Sequence, residues 1–175
     1  SIRRRQRQMC IRDRSFTPKF MSILMLCFVG IFSLVYFLVS YVDQTNASVS
    51  LKPNEREIVL LGKNIYLENC ASCHGKNLQG QANWRQRDAE GYLPAPPHDK
   101  NGHTWHHPDE YLFSMTKYGI ERMIGEKYQN KMPAYETILS DKQIIAALSY
   151  IKSTWPRKIQ RQHDRLNKRS NTNMN

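Results

Sequence analysis

The chain has 175 residues, four cysteines and a net charge of +11, which is room for one domain with extensions. The positive charge is confined to the ends: Arg3, Arg4, Arg5, Arg7, Arg12 and Arg14 crowd the start, Arg157, Lys158, Arg161, Arg165, Lys168 and Arg169 crowd the tail, and the middle is close to balanced. With no interleaving of aromatic and basic residues of the kind that single-strand binders use, nucleic acid is not the expected partner.

Residues 1–14 read as an adapter artefact or a basic stub. The segment Met9 to Arg14, "MCIRDR", resembles the translation of a sequencing-library adapter, and setting residues 1–14 aside lowers the net charge from +11 to +6, since six arginines leave with Asp13. Phe20 to Val42 then runs for 23 positions without a charge, long enough to cross a bilayer core of about 30 Å. A signal peptide has a shorter apolar region, of about 7–15 residues; "TNA" at 45–47 is a weak cleavage candidate, and Cys27 follows Leu26 rather than the small residue a lipoprotein site wants. The expectation is therefore a transmembrane anchor at 20–42, with Lys19 giving modest support for an outward-facing C-terminal part. Residues 43–53, "DQTNASVSLKP", form a polar linker ending in proline.

A domain is expected over 54–156. Its first helix starts near Asn54 and Glu55, with acidic residues in the first turn, and Ile58, Leu61, Ile65 and Tyr66 form an apolar stripe leading to Cys70. The next residues read "CASCHG". Cys70, Cys73 and His74 stand at i, i+3 and i+4 and share one face of a helical turn. Two thiols and an imidazole so placed suit a c-type haem, the thiols bonding to the porphyrin edge and the imidazole to iron. A redox dithiol and a zinc site compete. The first wants a strand and a βαβ setting, whereas a helix precedes the motif here. The second wants a further ligand pair, which His103, His106 and His107 could supply if the thiols were free.

The stretch 75–107, with four glycines and Pro94, Pro96 and Pro97, is a long irregular loop whose length suits ligand wrapping better than spacing. The histidines around Trp105 suggest a copper or zinc site, or, more plainly, bonds to haem propionates and a cap from His107 on the helix that follows. That helix runs from Pro108, at its first position, to Tyr118, with Asp109 and Glu110 in its first turn and Gly119 as the stop. Next comes "NKMPAY", where Met132 precedes Pro133, a residue that removes an N–H and stiffens the loop. Met132 is the candidate second axial ligand, ahead of Met115, inside a predicted helix, and Met123, which lacks the following proline. A thioether opposite imidazole raises the potential. The last predicted helix opens with a capping box, Ser140 and Gln143, buries Ile144, Ala147, Leu148 and Ile151, and is interrupted by Pro156. Residues 157–175 form a basic tail, left open between helix and frayed chain.

From Asn54 to about Pro156 the chain resembles the class I c-type cytochromes, all-α domains with one haem. The resemblance rests on Gly62 and Tyr66 spaced by four before Cys70, on "CASCHG", on "KMPAY", and on the last helix with Tyr150. It implies one covalently bound haem c, held by Cys70 and Cys73, with His74 and Met132 as axial ligands. It implies a close crossing of first and last helices, with Gly62 against Tyr150 or Leu148, and a carbonyl near Pro94–Pro97 accepting the Nδ1 proton of His74. The long middle loop departs from the simplest members.

The functional expectation is a membrane-anchored monohaem electron carrier in the bacterial inner membrane, its haem domain in the periplasm. With both axial positions filled, no site is open for substrate, so no enzyme activity and no small-molecule substrate are expected; the partners are a redox donor and acceptor. Lys76, Lys117, Lys127 and Lys131 are candidates for a ring that steers acidic partners, or are ordinary solvated lysines. The alternatives are a haem c subunit of a larger membrane oxidoreductase or terminal oxidase, and a ligand-binding or sensor haem protein; metal delivery by the histidine cluster is the weakest.

Overall fold

The computed structural model describes residues 18–45, 49–125 and 128–173, so the segment 1–14 and Lys127 lie outside the described residues. The chain divides into two units, up to Ala47 and from Ser48 onward. Among the described residues there are seven α-helices, one 3₁₀ turn and no strand.

The first unit holds α1, Pro18–Thr45. Its contiguous described side chains, Met25–Val39, are all exposed, Phe32 at 74% and Tyr36 at 77% among them. Among the described residues no helix is long and apolar enough to cross a membrane. The anchor expected over 20–42 is thus not established by the fold.

The second unit contains α2 (Arg56–Asn69), α3 (Ala71–His74), the 3₁₀ turn Thr104–His106, α4 (Asp109–Tyr118), α5 (Ile120–Ile124), α6 (Asp141–Ser153) and α7 (Arg157–Asn173). Its core is the crossing of α2 and α6. Tyr66 and Ile144 are fully buried there, with Ile65, Ala147, Leu148 and Ile151 close behind. Each such side chain contributes about 1.5–3 kcal/mol of burial free energy, an upper figure given a compact unfolded chain. Leu61, expected in the α2 stripe, is instead 48% exposed. The contact line on α2 runs through Ile58, Gly62, Ile65 and Tyr66, and Leu61 is turned about 100° away from Gly62 around the axis. Gly62 packs against the backbone of Ala146 and Ala147 rather than against Tyr150 or Leu148. The aromatic of α6 meets α2 one turn later, where the Tyr150 and Tyr66 rings lie 5.6 Å apart.

The capping box of α6 is present as expected. Gln143 N donates to Ser140 Oγ at 3.4 Å and Ser140 N donates to Gln143 Oε1 at 2.9 Å. The helix of the second expectation begins at Asp109, so Pro108 is its N-cap rather than its first residue, and His107 is not the cap. The proline carries extended backbone angles, φ −68° and ψ 160°, which end the preceding segment one residue later than expected. Beyond Pro156 the basic tail folds as α7. Ile159, Gln160, His163, Leu166 and Asn167 face inward at helical spacing, while its six basic residues stay exposed. The bonds that fasten it include His163 Nε2 to the His107 carbonyl at 2.8 Å, Asp109 N to Asn167 Oδ1 at 2.8 Å, Lys152 Nζ to Asp164 Oδ1 at 2.7 Å and Gln160 Nε2 to the Trp155 carbonyl at 2.9 Å.

Candidate functional site

Cys70 closes α2, its N–H bonded to the Tyr66 carbonyl at 2.9 Å, and its own carbonyl accepts from His74 N at 2.9 Å. Residues 70–74 are thereby one helical turn, which brings Cys70, Cys73 and His74 together. Both cysteines are free thiols, Cys70 half-buried and Cys73 exposed. Burial, with the neighbouring Cys73, pushes the Cys70 thiol up to about 11. Two tyrosines brace the turn from either side. Tyr66 Oη donates to the Gly75 carbonyl at 2.8 Å, and Tyr135 Oη donates to the Asn69 carbonyl at 2.7 Å. Burial and the proximity of Cys70 and Cys73 hold the Tyr135 phenol protonated, up to about 12.

His74 is buried, and its Nδ1 lies 2.8 Å from the Pro96 carbonyl oxygen. A carbonyl only accepts, so Nδ1 carries the proton and Nε2 is left with its lone pair, the form of imidazole that binds a metal. Burial lowers the pKa of His74, and the Pro96 bond offsets part of that. The expected contact between a proline-loop carbonyl and His74 is therefore present.

The loop that supplies it is pinned rather than slack. Gly80 N bonds the His74 carbonyl at 2.8 Å, Gln81 N the Ala95 carbonyl at 2.8 Å, and His98 N the Leu78 carbonyl at 2.8 Å. Gly80 allows this approach, since a β-carbon there would stand 2.4 Å from Pro97 N. The same loop sets His98 against His74, ring centroids 4.1 Å apart at 26°. Nothing local in the sequence marks His98, whose partner Trp155 lies 57 residues away.

Met132 lies on the loop between α5 and α6, half-buried against the core that Cys70 and Tyr135 also join. Its N–H donates to Asn130 Oδ1 at 2.9 Å. Met115 is half-buried on α4, and Met123 on α5 is 38% exposed.

His103 and His107 meet edge to face, ring centroids 5.6 Å apart, but each of the three loop histidines is stacked on an aromatic of its own. His103 stacks on Trp84 at 5.3 Å, His106 on Trp105 at 3.7 Å and His107 on Tyr111 at 4.7 Å. Among the described residues no group of three His, Cys, Asp or Glu side chains is placed to hold a metal. Trp105 Nε1 is buried and has no acceptor. Of the four lysines, Lys117 is bound to Asp141 at 2.7 Å and Lys131 lies 3.4 Å from Asp88 and 3.7 Å from Glu90. These two are tied to acids of their own chain, which leaves Lys76 exposed.

The family model for cytochrome c matches residues 59–155, from the second turn of α2 to the end of α6. The chain belongs to the cytochrome c family. Cytochrome c domains carry covalently bound haem c, one in a single-domain class I member, and are in general electron carriers working between redox proteins rather than enzymes. No significant match exists among curated proteins or solved structures. The donor set fits the family's cofactor: two unpaired thiols and an imidazole of fixed tautomer within one turn. Burial keeps the Cys70 thiol protonated at neutral pH, unlike the low-pKa thiol of a redox dithiol.

Proposed function

We propose that this cytochrome c is a membrane-anchored, single-haem carrier, with Cys70 and Cys73 as the thioether positions and His74 and Met132 as the axial ligands. The observation that carries the reading is the His74 Nδ1 to Pro96 bond of 2.8 Å, which leaves Nε2 unprotonated within the turn that holds both thiols. Haem so held supplies one-electron transfer, and two filled axial positions leave no coordination site for substrate. Asn130 steadies the Met132 backbone, and Tyr66 and Tyr135 hold the two ends of the Cys70–His74 turn. The anchor rests on the charge-free run Phe20–Val42 within α1, and an outward, periplasmic domain follows from the place where thioether attachment occurs.

The deciding experiment is a pyridine-haemochrome spectrum of protein matured in cells with a haem-attachment system, followed by acid-acetone extraction. One haem c per chain that stays with the protein is expected; pigment released into the solvent overturns the covalent assignment. Alkaline washing of isolated membranes tests the anchor, since a chain that leaves with the wash is not membrane-spanning.

A further inference from the structure

The Pro96 carbonyl restrains the edge of the His74 ring, but acceptor directions at a carbonyl are broad. A bond of that kind leaves the imidazole free to rock about the line joining Nδ1 to the oxygen. The face of the ring is restrained by something else. His98 lies over it, centroids 4.1 Å apart and planes 26° from parallel. Its ring blocks the direction of rocking that the hydrogen bond permits.

His98 is itself held at three points. Its backbone N–H donates to the Leu78 carbonyl at 2.8 Å, its carbonyl accepts from Trp155 Nε1 at 2.8 Å, and its Nδ1 lies 2.8 Å from Thr104 Oγ1. Thr104 is buried, and Trp155, just past the C-cap of α6, is 3% exposed. These anchors come from the haem-motif loop, from the 3₁₀ turn and from the segment that follows α6. Tyr66 adds an edge contact, its ring centroid 6.3 Å from that of His98. A ring packed only for bulk has no need of a polar tie on its side chain and two more on its backbone.

We propose that His98 is a positioning residue for His74: it sets the plane of the axial imidazole, and with it the ligand field at the iron, through a stack that Thr104 keeps in register. This rests on the assignment of His74 as the proximal ligand. Supporting groups of this kind hold a ligand within roughly 10–20° of its working orientation, and outer-shell partners tune the metal through the ligand they orient.

The test uses the full-length, haem-loaded chain and three variants: His98→Ala, His98→Phe and Thr104→Val. The readouts are the ferric low-spin EPR g-values, the paramagnetically shifted haem-methyl resonances and the midpoint potential, all sensitive to the axial imidazole plane. His98→Ala is expected to retain covalent haem and a low-spin spectrum while its g-values spread, its methyl shifts reorder and its potential moves. His98→Phe, which keeps a flat ring over His74, is expected to restore most of the wild-type pattern. Thr104→Val is expected to move the same readouts in the same direction as His98→Ala, by less. Wild-type g-values and methyl shifts in His98→Ala overturn the proposal. If that variant does not mature, wild-type values in Thr104→Val overturn it equally. A wild-type protein lacking haem c or histidine ligation would instead remove the underlying assignment, and the wild-type spectrum shows that first.

Discussion

Gly62 stands directly over the Ala146 carbonyl: a β-carbon built on Gly62 would lie 1.9 Å from the Ala146 oxygen and 2.4 Å from its carbon. The atoms met are helix backbone, which cannot rotate aside as a side chain would, so any substituent forces α2 and α6 apart. Gly62→Ala removes a helix-interior glycine, a gain of about 1 kcal/mol, but overpacks the crossing, a loss of about 1–3 kcal/mol and more when backbone must move. The second effect is expected to win, with net destabilisation of about 1–2 kcal/mol in urea unfolding of the haem-loaded protein. A neutral or stabilised variant would show that the crossing tolerates an added methyl group.

Met132 is half-buried against the core shared with Cys70, its loop steadied by Asn130. Met132→Ala is expected to abolish the long-wavelength thioether-to-iron band of the oxidised protein. It should also lower the midpoint potential by an appreciable fraction of the about 0.8 V that axial-ligand choice spans, because a thioether favours reduced iron. Met115→Leu and Met123→Leu are expected to leave band and potential in place. Retention of the band in Met132→Ala, together with its loss in either of the others, would move the ligand.

What could be read from the chain in advance divides along physical lines. Local rules carried the capping box at Ser140 and Gln143, the turn at Cys70–His74 and the breaks at Gly119 and Pro156, because each depends on neighbours within four residues. The buried face of α6 followed from its period. Leu61 failed because the stripe on α2 was drawn from hydrophobicity alone, whereas the crossing partner selects the line through Gly62. The partner of Gly62 failed for a related reason: which residue of α6 sits opposite depends on the crossing geometry, and no local pattern encodes that. His98 and His163 were passed over because their partners, Trp155 and His107, lie 57 and 56 residues away. The sequence shows a histidine in a loop and another in a basic tail, and nothing local distinguishes either from a solvated one.

Cys70 and Cys73 differ in exposure, and burial holds the Cys70 thiol up near 11. In protein made without haem attachment, Cys70 is expected to alkylate at neutral pH at least about tenfold more slowly than an ordinary thiol of pKa about 8.5. The lower thiolate fraction outweighs the higher nucleophilicity of the more basic sulfur. Its rate should climb steadily with pH past 9. Mass spectrometry after timed iodoacetamide pulses reads both cysteines separately. A Cys70 that reacts fast at neutral pH would reopen the redox-dithiol reading.

His163 is fully buried, and burial, then the Lys152 ammonium, lowers its pKa; Asp109, 3.6 Å from Nε2, the His107 carbonyl and Asp164 oppose this without reversing it. The sign follows from proton counting. Unfolded, the ring takes a proton near pH 6.5; folded, it does so only at lower pH. Below about 6.5 the unfolded chain therefore binds more protons, and stability falls as pH falls towards the folded pKa. Above it both states are neutral and the contribution is flat. His98, His103 and His107 are lowered in the same sense and add to the slope. His163→Phe is expected to be less stable than wild type at pH 7, by about 1 kcal/mol for the lost bond to His107, with the gap narrowing as the pH is lowered. Parallel stability profiles for the two proteins between pH 7 and pH 5 would count against the buried neutral ring.

Lys152 and Asp164 form a lopsided pair. The ammonium is 3% exposed, the carboxylate 53%, and they meet at 2.7 Å. Deleting the exposed member strands the buried one, so Asp164→Ala leaves an ammonium nearly out of water. A charge-assisted bond is worth about 1.5–3 kcal/mol, and solvent reaching the half-exposed carboxylate places the expected loss near the lower end. Removing the buried member instead removes the desolvation cost with it. Lys152→Met, of similar length and apolar, is therefore expected to be close to neutral or mildly stabilising, as buried pairs often are when replaced by well-packed apolar groups. Thermal unfolding of both variants in the haem-loaded state checks the asymmetry. Equal losses would mean that the ion pair itself, rather than the burial of Lys152, holds α7 against α6.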